Sequence, residues 1–266
     1  MYWLNGKKAT QIALNDRGLM LADGHFSTVK VQAGQCCHWL AHRQRLTLAN
    51  VRLGFAQPDW HGLEQHLQQV AQGHQLAVLR ITFTRGSSGR GYAGEWLAVP
   101  NVIVQCSPYP EHYWQWQRHG ISLQPTSMCL SGGGPLVGMK TLARTEQVLL
   151  RQALSQMDAD DLIVADDRGA VIEASAANLF FHIQGQWCTP ALHRSGIAGT
   201  ARQQAIFGLL ALGYDVAVRD IFWPELAHVD AAFMCNALMG VVPVHSLAGR
   251  ALTRSSLIKK LQELLC

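Results

Sequence analysis

Gly196-Ile197-Ala198-Gly199-Thr200-Ala201-Arg202 is the stretch on which the reading of this chain turns. Two glycines lead into Thr200 to Leu212, where the pattern predicts a helix. The N–H groups at a helix start are unpaired and lie at its positive end. A glycine turn feeding such a start makes an anion cradle suited to phosphate. The plainer reading is a glycine turn capped by Thr200. Upstream, Val171-Ile172-Glu173-Ala174-Ser175-Ala176-Ala177-Asn178-Leu179-Phe180 places an acid at a predicted strand end in apolar company. Such a carboxylate needs a partner unless it is solvated.

Further upstream lies Leu136-Val137-Gly138-Met139-Lys140-Thr141-Leu142. A desolvated lysine has its pKa pushed down, which favours the neutral amine that a Schiff base requires. The alternative is a surface lysine with a buried stem. A Schiff-base lysine, a carboxylate able to pair with a protonated pyridine nitrogen and a phosphate cradle are together the parts of a pyridoxal phosphate site.

Two other motifs carry less. Gly132-Gly133-Gly134 ahead of Lys140-Thr141 is similar to a P-loop, but Met139 stands between Gly138 and Lys140 and spoils the G-K spacing. His38 and His42 are four apart, as metal ligands on one helix face would be, but the glutamate of H-E-x-x-H is absent. A histidine at a helix start is the better reading, and no metal is expected.

The rest of the chain predicts hairpins with helices between them. Asn5-Gly6 and Gln184-Gly185 are turns between strand pairs. Strands are expected at Phe26 to Val31, Gln35 to Trp39, Leu76 to Thr84, Trp96 to Cys106, near Ile121, and at Leu162 to Ala165, Ala170 to Glu173, Asn178 to Ile183, Gln186 to Thr189, Tyr214 to Arg219 and Ala231 to Cys235. Helices are expected at Leu40 to Leu53, Gly62 to Ala71, Arg144 to Met157 and around Lys259-Lys260. Ser107-Pro108-Tyr109-Pro110 is the expected domain boundary, since two prolines in four residues exclude both helix and central strand.

These motifs resemble the class IV, or fold-type IV, pyridoxal-phosphate enzymes over nearly the whole chain. Leu4-Asn5-Gly6, Asp16-Arg17-Gly18 and Asp23-Gly24-His25-Phe26-Ser27-Thr28 are similar to that family's N-terminal lobe. His42-Arg43-Gln44-Arg45-Leu46 matches its H-x-x-R-L. Arg85-Gly86-Ser87-Ser88-Gly89-Arg90-Gly91-Tyr92 is most like the branch of lyases acting on 4-amino-4-deoxychorismate. Two positions depart: Ala143 stands where that branch often has asparagine, and Ala22 stands where a glycine is expected before Asp23.

The resemblance implies a two-lobed α/β and α+β fold, with a smaller N-terminal α+β domain (1–108) and a larger C-terminal α/β domain (109–266) whose mixed sheet forms a partial barrel. It implies pyridoxal 5′-phosphate as cofactor, Lys140 as its Schiff-base lysine and as catalytic base, and Glu173 as the partner of its ring nitrogen. Arg45, Asn236 and the amides of Ile197 and Ala198 would anchor phosphate. Thr28 would reach the leaving group, Arg90 would clamp a carboxylate, and Tyr92, Ala237 and Leu238 would line the substrate. The implied reaction yields 4-aminobenzoate and pyruvate, a step toward folate. The alternatives are a class IV aminotransferase acting on branched-chain or D-amino acids, and a non-catalytic carrier of the cofactor. A homodimer is implied.

Composition agrees with a folded globular protein. Of 266 residues, 48% are hydrophobic and 15% charged, which excludes disorder. Mean hydropathy is +0.05, with no long apolar run, so no membrane span is expected. The +4 net charge forms no Lys/Arg cluster of the kind that binds nucleic acid. The N-terminus lacks the apolar core of a signal peptide. Seven cysteines, none in C-x-x-C, fit a reducing cytoplasm.

Overall fold

The computed structural model describes residues 1–265; Cys266 lies outside the described residues. The chain divides into two units, Met1–Pro110 with Lys140–Ala143, and Glu111–Met139 with the residues from Arg144 onward. The division falls after Pro110, where 108/109 was expected. Residues 140–143 join the first unit, not the second, because their backbone pairs with a strand there. The Phe26 N–H donates to the Lys140 carbonyl at 3.0 Å and the Leu142 N–H to the Gly24 carbonyl at 3.0 Å.

The first unit contains β1 (Tyr2–Leu4), β2 (Lys7–Lys8), α1 (Arg17–Leu21), β3 (Gly24–Gln32), β4 (Gln35–Cys36), α2 (Trp39–Leu53), α3 (Trp60–Gln72), β5 (Leu76–Thr84) and β6 (Asn101–Ser107). Its sheet runs β2-β1-β6-β5-β3-β4, with every pairing antiparallel. Asn5 and Gly6 have φ of 49° and 79°, the twist that a two-residue hairpin needs. Alternation along β3 sends Val29 and Val31 into a core with Leu46, Leu67, Leu79, Ile81 and Phe83. Phe26, Thr28 and Lys30 take the opposite face.

The strand expected at Gln35 to Trp39 stops at Cys36, because His38 is left-handed (φ 52°) and Trp39 begins α2. That expected at Trp96 to Cys106 begins only at Asn101. Leu97 has φ 58° and Pro100 lacks a donor, so the ladder cannot start earlier.

Ala22 ends α1 in the left-handed region (φ 53°). An L-residue there carries about 1–2 kcal/mol of strain, and glycine relieves most of it. Ala22→Gly is therefore expected to stabilise the protein by about 1 kcal/mol, seen as a higher urea midpoint. A lower midpoint would contradict this.

The second unit contains α4 (His112–His119), β7 (Ile121–Leu130), α5 (Thr145–Leu154), β8 (Asp161–Asp166), β9 (Val171–Ala174), β10 (Asn178–Ile183), β11 (Gln186–Pro190), α6 (Thr200–Ala211), β12 (Val216–Arg219), β13 (Val229–Asn236), β14 (Gly240–Leu247), β15 (Arg250–Ala251) and α7 (Ser256–Leu264). Its mixed sheet runs β12-β11-β10-β13-β14-β7-β8-β9, with β15 on β14. The two edges approach each other. The Val171 N–H donates to the Ile221 carbonyl at 2.7 Å, and Ala170 bridges Phe222 beyond β12. This curl is the partial barrel, and it covers edges that would otherwise offer unpaired backbone.

Neighbouring residues on β10 divide between two cores. Phe181 packs inward with Ile121, Leu123 and Met234. Phe180 packs outward against α6 and α7 and stacks on Phe233 with ring centroids 4.5 Å apart. Among the described residues no helix is long and apolar enough to cross a membrane.

Candidate active site

In the first unit, Lys140 lies beside β3. Its Nζ sits 4.7 Å from the centroid of the Phe26 ring, and the Arg80 guanidinium lies 3.8 Å from the same centroid. Thr28 pairs directly with Arg80 across β3 and β5, so both face the same way. Lys140 and Arg80 thus share one ring, with Thr28 on the same strand face. Burial holds the Arg80 guanidinium below its usual range. Arg80 was missed by the sequence reading. Its signal was a lone cation in the otherwise uncharged alternation of Leu76 to Thr84. No P-loop is formed here: Lys140 is in extended pairing with β3, and the following helix begins only at Thr145.

Arg45 is on α2, and its Nη2 donates to Ser27 Oγ at 2.5 Å. The same hydroxyl lies 2.7 Å from Nδ1 of His42. Since Ser27 Oγ accepts from Arg45, its proton goes to His42, whose Nδ1 is then the unprotonated nitrogen. His42 is therefore part of a hydrogen-bond chain rather than a metal ligand. Burial, with Arg45 and His38 nearby, pulls its pKa down to about 3. His25 is buried against Phe83, with Nε2 2.7 Å from Asn50 Oδ1, and burial pulls it down to about 4.

Both histidines are depressed from about 6.5, so the unfolded chain binds protons that the folded one refuses. Their stability is fully present above pH ~6.5 and is lost as pH falls toward 4 and 3. Each is expected to cost about 2 kcal/mol between pH 7 and 5, read as a falling urea midpoint. Their ring proton resonances should stay unshifted over that range; titration near 6.5 would contradict the assignment.

Arg90 and Tyr92 are on the loop after β5, and both are exposed. The Tyr92 side chain, at 93% exposure, has little contact with the rest of its own chain. Ala143 is exposed as well.

In the second unit, Glu173 on β9 is 4% exposed, and its Oε2 accepts the Ile197 N–H at 2.8 Å. The Asn178 side chain on β10 donates to the Ile197 carbonyl at 2.9 Å. The acid and amide of the E-x-x-x-x-N-L-F pattern thus hold Ile197 by both backbone groups. Two glycines make room. A Cβ on Gly196 (φ 87°) would lie 2.6 Å from Ile172 Cγ2, and one on Gly199 would lie 2.2 Å from Asn178 Oδ1. Gly138, two residues before Lys140, pairs with the same turn. Its N–H donates to the Gly196 carbonyl at 3.1 Å and its carbonyl accepts the Ala198 N–H at 3.0 Å.

This corrects the expected cradle. The amides of Ile197 and Ala198, expected to face phosphate, each donate to a protein oxygen. The neighbouring donors are those of the first turn of α6, over which Gly199 places no side chain. Asn236 is likewise engaged within the chain. Its Oδ1 accepts from Leu238 and Met239 N–H, both at 2.9 Å, and its Nδ2 donates to the Ala176 carbonyl at 3.1 Å. It shapes the β13–β14 turn that carries half-buried Ala237 and Leu238.

The class IV amino-transferase family model matches residues 24–247. The chain belongs to the class IV aminotransferase family. Among class IV relatives, an aminodeoxychorismate lyase of Vibrio harveyi is 34% identical over 93% of this chain and 92% of its own. A bifunctional aminodeoxychorismate lyase / D-amino acid transaminase of Mycobacterium tuberculosis is 25% identical over 94% of this chain and 90% of its own. The crystal structure of 4-amino-4-deoxychorismate lyase from Pseudomonas aeruginosa superposes with a TM-score of 0.91 at 32% identity, covering 100% of this chain and 98% of that one. The class IV fold is thus present over the whole described chain.

Proposed function

We propose that this class IV protein is a pyridoxal-phosphate lyase that splits 4-amino-4-deoxychorismate into 4-aminobenzoate and pyruvate. The observation that carries the reading is the strand face around Phe26, where an amine and a guanidinium meet one ring on the face that also carries Thr28. Eliminating an enolpyruvyl ether from a dicarboxylate needs a base and a cation for a carboxylate. The likeness to lyases of two bacteria supports the same reading.

The residues fit the cofactor. Arg45 Nε is buried without a hydrogen-bond partner, a donor suited to an anionic group. Burial lowers its guanidinium only to about 10, so it stays charged at neutral pH. Lys140 would hold the cofactor covalently, Glu173 would pair with its ring nitrogen and Arg45 with its phosphate, while Ile197, Ala198 and Asn236 shape turns of the second unit. When bound, pyridoxal phosphate supplies a protonated ring that accepts electrons.

The chain's own groups do the rest. Lys140 Nζ, freed once the substrate amine has taken its place, removes the proton from the substrate carbon bearing the amine. The C–O bond of the enolpyruvyl ether breaks, the ring becomes aromatic, and Lys140 returns a proton to the departing enolpyruvate. Atoms balance with no water consumed. Thr28 would contact the leaving group, Arg80 and Arg90 would meet carboxylates, and Tyr92, Ala237 and Leu238 would line the ring. Glu173 keeps negative charge where a ring proton must be retained.

We further propose a homodimer working in the cytoplasm. Exposed Tyr92, Trp96 and Val99 support a covered surface on the first unit. The doubly named mycobacterial relative favours a residual D-amino acid transaminase activity as a second reading. Incubation with D- or branched-chain amino acids plus a 2-oxo acid separates the two. Slow conversion beside rapid 4-aminobenzoate release supports the lyase; rapid conversion with no 4-aminobenzoate supports the aminotransferase.

A further inference from the structure

Asp16-Arg17-Gly18 and Asp23 have no part in the chemistry above, yet they build a dense buried cluster. The side chains of Arg17, Asp23 and Arg85 are 8%, 16% and 10% exposed. Arg17 Nε donates to Asp23 Oδ2 at 2.9 Å, Nη1 to the carbonyls of Gly91 at 2.9 Å and Ser88 at 3.3 Å, and Nη2 to the Tyr92 carbonyl at 3.3 Å. Arg85 completes the cluster from the other side. Its Nε donates to Asp23 Oδ2 at 2.8 Å and its Nη2 to Asp23 Oδ1 at 3.2 Å. Its remaining donors go to the carbonyls of Leu53, Gly54 and Glu95. Asp16 fixes the entrance, accepting from Gly18 N–H, Thr84 Oγ1 and Asn101 Nδ2.

The three loop carbonyls that Arg17 holds, those of Ser88, Gly91 and Tyr92, bracket Arg90. We propose that Arg17, braced by Asp23 and Arg85, is a positioning residue that fixes the backbone on both sides of Arg90 and so sets affinity for the substrate carboxylate without touching it. This rests on the reading of the 85–92 loop as substrate-binding. Backbone carbonyls in a turn-rich loop need donors. A planar guanidinium supplies several in a rigid fork, which one ammonium cannot reproduce. Burial alone would raise Asp23, but its bonds and charge contacts with Arg85 and Arg17 hold it below the usual carboxylate range. The brace is therefore ionised at neutral pH.

The test uses the holoenzyme and compares Arg17→Ala, Arg17→Lys and Arg90→Ala. Arg17→Ala is expected to raise KM for aminodeoxychorismate about tenfold or more, with kcat and cofactor affinity within about twofold. Hydrogen exchange at the Ala93 amide, which donates to the Arg90 carbonyl, should quicken. Arg17→Lys restores a cation beside Asp23 but not the fork, so KM should stay raised; it also serves if the alanine variant fails to fold. If Arg90→Ala raises KM while a folded Arg17 variant keeps wild-type KM, the positioning proposal is overturned and the loop reading stands. If Arg90→Ala leaves KM unchanged, the loop reading fails and takes this proposal with it.

Discussion

Lys140→Ala is expected to abolish 4-aminobenzoate formation, lowering turnover by about 10⁴-fold or more. On the proposed reading, the substitution removes both the covalent hold on the cofactor and the base that moves the proton. It leaves the fold nearly untouched, because the bond between Phe26 N–H and the Lys140 carbonyl is made by backbone. The ammonium's contact with the Phe26 ring is worth about 0.5–1 kcal/mol where solvent reaches it. Loss of the visible absorbance of lysine-bound cofactor should accompany loss of activity, with a thermal midpoint close to wild type. Full activity in this variant would remove Lys140 from the chemistry.

Glu173→Gln carries the second large effect. Glutamine has nearly the same shape and retains an oxygen that can accept the Ile197 N–H. The turn at Gly196 to Ala198 should therefore keep its conformation, and the cofactor should still bind. What disappears is the negative charge that, on the proposed reading, would keep the ring nitrogen protonated. Losing one such preorganised electrostatic contact costs about 10²–10³-fold in turnover. Glu173→Ala should behave differently, because it leaves the Ile197 N–H without its acceptor and adds about 1–3 kcal/mol of instability. An unchanged rate in Glu173→Gln, with cofactor bound, would show that the charge has no part in the reaction.

Local chemistry made much of the fold readable. Asn178 to Ile183 is a strand over its expected span, and the Gln184-Gly185 turn has φ of 50° and 85°. Two of the elements that went unread did so for opposite reasons. The helix His112–His119 fully buries none of its residues, and only Tyr113 and Trp116 pack from it against the core, too short a stripe to show in the pattern. The strand Gly240–Leu247 contains Pro243, which argues against a central strand. It is central nonetheless: Pro243 lies opposite Phe233, and the pairing with β7 is irregular just beyond it.

The site divides along the same line. Lys140 and Glu173 stand in short local patterns, so both could be proposed from the sequence. Arg80 could not be, because its place beside Thr28 depends on cross-strand register. The grip of Glu173 and Asn178 on Ile197 depends on a turn folding back over two strands. That same folding takes the Ile197 and Ala198 amides, which the linear motif had offered to phosphate.

The most direct measurement is the product balance of purified holoenzyme incubated with 4-amino-4-deoxychorismate. Equal amounts of 4-aminobenzoate and pyruvate, with neither formed by Lys140→Ala, are the expected result. Absence of 4-aminobenzoate from a protein that is folded and loaded with cofactor would contradict the lyase assignment.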